Sequence, residues 1–227
     1  YLNAALERFP ILENAGIRKF FSGPESFTPD TNTLLGEVPE IKNFFVCTGL
    51  NSIGIGSGGG VGKVTAEWLM TGHINEDIFN YDIKRFQKFH SEINFIKNRI
   101  TETLGDLYGM HWPFKQHKTS RNIKTVPYHE ELKKAGACFG VSGGYERPMW
   151  FALNGNNPEY EYSYSYQNWY PSVERETINT RKNIGLFDLT PFAKFELKSN
   201  HAHSELQRIC AANIKNEKGK TTYTQML

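Results

Sequence analysis

Apolar residues recur at helical spacing in some stretches of the chain and crowd into short runs in others, and this contrast divides it into elements. Leu2, Leu6 and Phe9 lie at helical spacing, so residues 1–16 read as a helix that Pro10 must kink and Ala15-Gly16 closes. Residues 17–21 read as a strand, with core favoured over pocket lining for Phe20, Phe21 and Phe27. Residues 23–37 form a turn-rich return punctuated by Gly23-Pro24 and Pro29-Asp30. Residues 43–48 are β-branched and aromatic, end at Gly49 and are too few for a helix, which predicts a buried strand. A helix then starts at Val61, carried by Val64, Trp68 and Leu69.

Further on, Asn75 is placed to cap a short helix with Glu76 and Asp77 in its first turn. Ile93, Ile96, Ile100, Leu104 and Leu107 make one face of a helix over 92–108. Gly143-Gly144 and residues 154–157 read as turns, and YEYSYSYQNWY alternates with period two, which predicts an aromatic ribbon at an interface between domains. Ser172 is placed to cap a helix to Asn183, with Glu174 and Glu176 near its start and Arg181 and Lys182 near its end. Residues 185–199 read as strand, turn, strand, with Asp188 and Thr190 bracketing the turn. A helix over 202–212 and a turn at Lys218-Gly219-Lys220 complete the chain, and no internal repeat breaks this order.

Between the strand at 43–48 and the helix at Val61, Gly54, Gly56, Gly58, Gly59, Gly60 and Gly62 fall within nine residues. Residues without a Cβ admit positive φ, and they let a flat or anionic ligand approach the peptide groups themselves. Gly54, Gly56 and Gly59 satisfy G-x-G-x-x-G, yet about a dozen residues separate Cys47 from the expected helix, which does not suit a dinucleotide fingerprint. A P-loop needs glycine where Ser57 stands and Ser or Thr where Val64 stands. The glycines therefore predict a ligand loop of another kind, running into a helix N-terminus at Val61.

Composition narrows the function less than the glycines do. With 39% hydrophobic and 22% charged residues the chain is an ordinary globular one, and its net charge of +2, without a long run of like charges, gives no footing for nucleic acid or an anionic membrane. Cys47, Cys138 and Cys210 are widely spaced with no C-x-x-C pair, which fits a reducing compartment and small core residues. His73 and His90 lack partners at metal-ligand spacing, and His129-Glu130-Glu131 lacks the second histidine of a zinc-protease helix, so no metal site is expected. The cluster His117, Lys118, Arg121 and Lys124, in an arm from Met110 to Pro127, reads as a solvated face, favoured over the alternative that it holds a polyglutamate tail. In Tyr145-Glu146-Arg147-Pro148 an ion pair fixing a loop is favoured over a carboxylate clamp.

The stretch GPESFTPDTNTLLGEVPEIKNFFVCTGLNSIGIGSGGGVGKVTAEWL resembles the last flavin-domain segment of the dimethylglycine and sarcosine dehydrogenase family. HWPFKQ, GYERPMWFA, YQNWY and GLFDLTPFAKFEL resemble the same family in the same order, the last of them at the opening of its folate-binding aminomethyltransferase domain. The resemblance implies an α/β and α+β chain. The C-terminal part of an FAD-binding, D-amino-acid-oxidase-like domain would span 1–72, a central connecting domain 73–129, and the N-terminal part of an aminomethyltransferase-like domain 130–227. It implies an internal fragment, inactive alone, of an enzyme that oxidatively demethylates an amine such as dimethylglycine or sarcosine and passes the one-carbon unit to tetrahydrofolate.

FAD is then the cofactor of the glycine stretch, with Asn51, Ser52, Ile53, Gly54, Ile55, Gly56, Ser57, Gly58, Gly59 and Gly60 against it. No catalytic side chain is assigned within the chain. Electron-transfer flavoprotein or oxygen would accept the electrons, and the location would be the bacterial cytoplasm or the mitochondrial matrix. The alternative is a non-catalytic regulator, since the regulatory subunit of pyruvate dehydrogenase phosphatase has the same architecture and a similar loop. An amine oxidase that reduces oxygen to peroxide is a third reading.

Overall fold

The computed structural model describes residues 2–74, 77–153 and 155–227. Helix α1 (Leu2–Arg8) ends before Pro10, which opens a 3-10 turn (Pro10–Asn14), as the kink at proline predicts. Residues 17–21 form no strand, and Phe20 and Phe21 are exposed. Neither is core, because no neighbouring strand among the described residues pairs with this segment. Strand β1 (Leu34–Glu37) lies inside what the sequence suggested was only a return. It pairs antiparallel with β2 (Phe45–Thr48), Leu35 opposite Cys47 and Gly36 opposite Val46. Strand β2 is half-covered rather than buried, and Cys47 is exposed rather than core, because a two-stranded ribbon can bury only one of its faces.

The largest departure from expectation follows. There is no glycine loop: helix α2 (Gly54–Thr71) begins at Gly54 and takes all six glycines into its first turns, so its N-terminus lies at Gly54 and not at Val61. The helix is fixed from its other end. Trp68 is buried, meets the Phe45 ring edge-on at 5.7 Å and presses on Gly36, whose φ is +112°. A Cβ on Gly36 would stand 2.4 Å from the Trp68 ring. Gly72, at φ +75°, ends the helix in the left-handed conformation and donates its N–H to the Trp68 carbonyl.

Two 3-10 turns (Ile83–Arg85 and Lys88–Ser91) lead into α3 (Ile93–Tyr108). The helix was foreseen, but its buried line is Phe95, Arg99 and Thr103, with Ile96, Ile100 and Leu104 half-covered beside it and Ile93 and Leu107 exposed. The apolar stripe is thus rotated to make room for a polar core. Helix α4 (His129–Lys134) precedes the hairpin of β3 (Ala137–Ser142) and β4 (Tyr145–Phe151), joined by Gly143-Gly144, both at positive φ as a two-residue hairpin turn requires. Its register shifts between Cys138, opposite Trp150, and Phe139, opposite Pro148. Pro148 has no N–H to give the ladder, and a bulge is where a strand tolerates that loss.

The aromatic stretch 160–170 is not a strand but a series of bends closed on itself, the Gln167 amide bonding back to the Ser163 carbonyl. Helix α5 (Tyr170–Lys182) starts two residues before the predicted cap. Ser172 is fully buried inside it, and Pro171 occupies the first turn in the cap's stead. Glu176 accepts the Phe151 N–H and so ties α5 to the end of β4. Residues 185–199 also form no strands, for want of a partner among the described residues. The turn does form, with the Asp188 carboxylate accepting from the Thr190 N–H and hydroxyl. Helix α6 (Ala202–Ile209) closes the set. The expected cap at Asn75 with Glu76, and the Asn154 end of a turn, lie outside the described residues.

Candidate functional site

The glycine helix presents its start without a lid. Its N-cap, Ile53, offers no side-chain cap, and the first amide to bond back along the chain is that of Ser57, to the Ile53 carbonyl. The amides of Gly54, Ile55 and Gly56 precede that bond, at the positive end of the helix dipole. A Cβ built on Gly56, Gly58, Gly59, Gly60 or Gly62 would meet nothing within 4 Å, and none of these glycines has positive φ. Strain is therefore not what calls for glycine here. Glycine in place of alanine costs about 1 kcal/mol at each helical position, and what remains in return is bare backbone that a flat group can lie against.

The positive φ expected of the glycines sits one turn earlier, at Asn51 (48°) and Ser52 (65°), in the turn joining β2 to α2. Asn51 is buried. Its Oδ1 accepts the Thr28 N–H at 2.9 Å and its Nδ2 donates to the Gly49 carbonyl at 2.5 Å, so its side chain holds the turn. Ser52 Oγ accepts from the Tyr108 hydroxyl at 2.6 Å, linking the turn to α3, and Ser57 Oγ donates to the Ile53 carbonyl. Ile53 and Ile55 are exposed beside the helix start. The residues predicted to touch a ligand thus lie together, but their polar side chains are already engaged. The site offers backbone amides, bare glycine and two open isoleucines. Only Thr48 to Ile53 separate Cys47 from the helix, half the gap the sequence suggested.

A second polar group of residues lies between the arm and the hairpin. The basic arm is not a solvated face. Arg121 makes a two-pronged ion pair with Glu146 (2.7 and 2.6 Å) and donates to the Phe139 carbonyl, while Lys124 lies over the Tyr145 ring and donates to Gln87. Glu146 is paired with Arg121 and not with its neighbour Arg147, which instead lies over the Phe192 ring. Burial alone would raise the Glu146 carboxyl, but hydrogen bonds from Arg121 and the Asn122 N–H, with the guanidinium charge, hold it below the usual carboxylate range.

Glu102, Asp106 and His117 bring ligand atoms within 4.8 Å of one another. The two carboxylates are engaged, Glu102 by the amides of Lys118 and Thr119 and by the Thr119 hydroxyl and Asp106 by Lys115 at 2.5 Å, while His117 Nδ1 is buried without a hydrogen-bond partner. Burial and the Arg99 charge lower the pKa of His117, and burial lowers that of His90, whose Nδ1 accepts the Gln87 N–H while its ring stacks on Phe89. Burial also pushes the Cys138 thiol up to about 11, which leaves it unreactive.

The aromatic stretch expected to form a ribbon instead helps to enclose a cavity of about 600 Å³ lined by Trp112, Met149, Trp150, Tyr160, Tyr162 and Trp169, among others. The rings come from three separate stretches, the arm, β4 and the bends at 160–169. The alternation over 160–170 marked one wall, but its meeting with Trp112-Pro113 and Pro148 to Trp150 depends on the hairpin and is not local.

Three family models match consecutive parts of the chain: FAD dependent oxidoreductase over residues 1–68, FAD dependent oxidoreductase central domain over 71–125, and GCVT N-terminal domain over 128–227. The chain is 43% identical over 218 residues, 96% of its length, to a 4-methylaminobutanoate oxidase (formaldehyde-forming) of Paenarthrobacter nicotinovorans, covering 26% of that protein. It is 32% identical along its whole length to human mitochondrial sarcosine dehydrogenase, covering 28% of it. It is 31% identical along its whole length to the mitochondrial pyruvate dehydrogenase phosphatase regulatory subunit of Mus musculus, covering 26% of it. The chain spans about a quarter of the length of these relatives. Among the described residues, no helix is long and apolar enough to cross a membrane.

Proposed function

The chain belongs to the dimethylglycine and sarcosine dehydrogenase family, and from that premise we propose that it forms part of an FAD enzyme that oxidatively removes an N-methyl group from a methylated amine. One observation carries the reading: the uncapped, bare-faced glycine helix α2 lies mostly within the segment matched by the FAD oxidoreductase model. Those residues fit a flavin, whose ring is flat and whose reduction places negative charge on one edge. Bound there, FAD supplies the hydride acceptor for the methyl carbon.

The part played by this chain is electrostatic and steric. The amides of Gly54, Ile55 and Gly56, at the positive end of α2, stabilise negative charge developing near them. The glycines at 56 to 60 allow close approach, and Ile53 and Ile55 exclude water from the contact. Asn51, Ser52 and Ser57 set the backbone through their own hydrogen bonds and transfer no proton. The match of residues 128–227 to a GCVT N-terminal domain supports tetrahydrofolate as the recipient of the one-carbon unit. The electron acceptor is an electron-transfer flavoprotein or oxygen, which peroxide measurement separates.

Anaerobic addition of sarcosine, dimethylglycine and 4-methylaminobutanoate to the holoprotein tests the reading. At least one of them bleaches the flavin absorbance near 450 nm, to the extent of one equivalent, if the proposal holds. The regulatory reading, which the likeness to the phosphatase subunit supports, predicts flavin that stays oxidised with all three.

A further inference from the structure

Asn51 and Ser52 stand next to each other at positive φ (48° and 65°), and the chain turns on them just before the first amides of α2. Non-glycine residues enter that region at some cost, so the surroundings must hold them there. Two struts do so, and both are rooted in the segment 71–125 matched by the central-domain model. We infer that Arg85 and Tyr108, at the feet of these struts, are positioning residues for the flavin: they fix the aim of the α2 amides and thereby set how readily the flavin accepts hydride. The inference rests on the function proposed above, which puts flavin against those amides.

The first strut starts at Arg85, whose side chain is 8% exposed and has all five of its N–H donors engaged. Nε and Nη2 fork onto the Asp30 carboxylate at 2.7 and 3.0 Å, and Nη2 also reaches the Asn32 carbonyl at 2.9 Å. Nη1 donates to the Tyr81 and Asp82 carbonyls at 2.9 and 3.1 Å. The guanidinium therefore clamps its own 3-10 turn to residues 30–32, more than 50 positions away in the chain. From the other side of that segment the Thr28 hydroxyl donates to the same Asn32 carbonyl at 2.8 Å, and the Thr28 N–H donates to Asn51 Oδ1 at 2.9 Å. Thr28 and Asn51 are 3% and 2% exposed, so water does not compete for the bond between them. Residues 28–32 are thus gripped by Arg85 and in turn hold Asn51.

The second strut is direct. Tyr108, the last residue of α3, donates its hydroxyl proton to Ser52 Oγ at 2.6 Å. Tyr108 is largely exposed, and a hydrogen bond so open to water adds little to folding; its effect is on where Ser52 sits. A staple that served folding alone could end anywhere on the segment 1–68, yet both struts end on the adjacent residues that set the direction of the α2 start. Donors preorganised toward developing negative charge act only while their aim is kept, so a small loss of aim is felt at the flavin rather than in the fold. Lysine in place of Arg85 keeps the charge but cannot make the fork and reach the carbonyls as well.

The test is the midpoint potential of the flavin in the holoprotein, titrated with dithionite against a reference dye so that no amine takes part. Amides aimed at the reduced flavin raise its potential, so Arg85→Lys should lower it by about 30 mV, which is a tenfold loss in the equilibrium toward reduced flavin for a two-electron couple. Tyr108→Phe should lower it in the same direction by a smaller amount. If Arg85→Lys does not fold, Asp30→Asn, which removes the charge under the fork and keeps the shape, takes its place with the same expected shift. Glu146→Gln, in the hairpin, should lower the stability of the protein and leave the potential where it is. The parental potential in either strut variant removes that residue from the role, and the parental potential in both, or an equal shift in Glu146→Gln, overturns the inference. Failure of every amine to bleach the flavin counts instead against the function proposed above, and it leaves the dye titration readable.

Discussion

Glu146 and Arg121 show how few residues hold the second half of the chain in register. Glu146 is 2% exposed and receives the Arg121 fork and the Asn122 N–H, so one carboxylate joins the arm to β4. Removing one member of such a pair strands a buried charge, at a cost of about 3–5 kcal/mol. Glu146→Gln should lower the urea midpoint accordingly, and the double change Glu146→Leu with Arg121→Met should cost less than the two singles together. The folded carboxyl titrates below its unfolded value, so this contribution is complete above about pH 4.3 and is lost as pH falls through the folded pKa.

His90 and His117 act in another window. Both are held below their ordinary value, so the unfolded chain takes up protons first as pH falls through about 6.5, and stability declines from there until the folded pKa values are passed. Urea midpoints at pH 7.5 and pH 5.5 should therefore differ in favour of the higher pH, and replacing both histidines by Gln should flatten the difference.

At the scale of elements, glycine serves opposite purposes at two neighbouring places. Gly36 is required by contact and by φ, so Gly36→Ala should push Trp68 aside and cost about 1–3 kcal/mol, loosening α2. Gly59 has open space around it and helical φ, so Gly59→Ala should raise the stability of the ligand-free protein by roughly 0.5–1 kcal/mol. Calorimetry on the two variants separates them by sign. The same helix shows where sequence reading stops. Six glycines argue locally for a loop, and only the clamp of Trp68 on Gly36 and Phe45, together with the Gly72 cap, lets helix extend back through them.

The helix α3 and the hairpin turn at Gly143-Gly144 were legible because their signals are local. Residues 17–21 and 185–199 were misread because a strand needs a partner that no local pattern supplies. Of the site, the positions Asn51 to Gly60 could be picked from the glycine density. That Asn51 and Ser52 would be consumed by Thr28 and Tyr108 could not, since those partners stand 23 and 56 residues away.

Across the whole molecule, accessible surface is 18237 Å², against roughly 10,500 Å² for a closed monomer of its mass. The open part is concentrated in segments that lack ladders: Phe20 and Phe21, and Leu186, Phe187 and Phe195, all largely exposed. The covered part includes the β3–β4 hairpin, with Ala137, Cys138, Glu146 and Trp150 buried, and the contacts around Leu35, Asn51, Trp68 and Phe95. Amide exchange should follow this division, with residues 138–150 the slowest and residues 17–25 and 185–199 exchanging within seconds.

Whether the bare face of α2 lies against flavin is measured most directly by the ratio of FAD to protein in the double variant Gly59→Ala, Gly60→Ala. A Cβ at these positions meets nothing in the protein itself, so the variant should unfold at a higher temperature than the parent in its flavin-free form while retaining a clearly smaller fraction of FAD. A variant that is both more stable and fully loaded with FAD would contradict the account, and α2 would then be a glycine-rich helix with no flavin upon it.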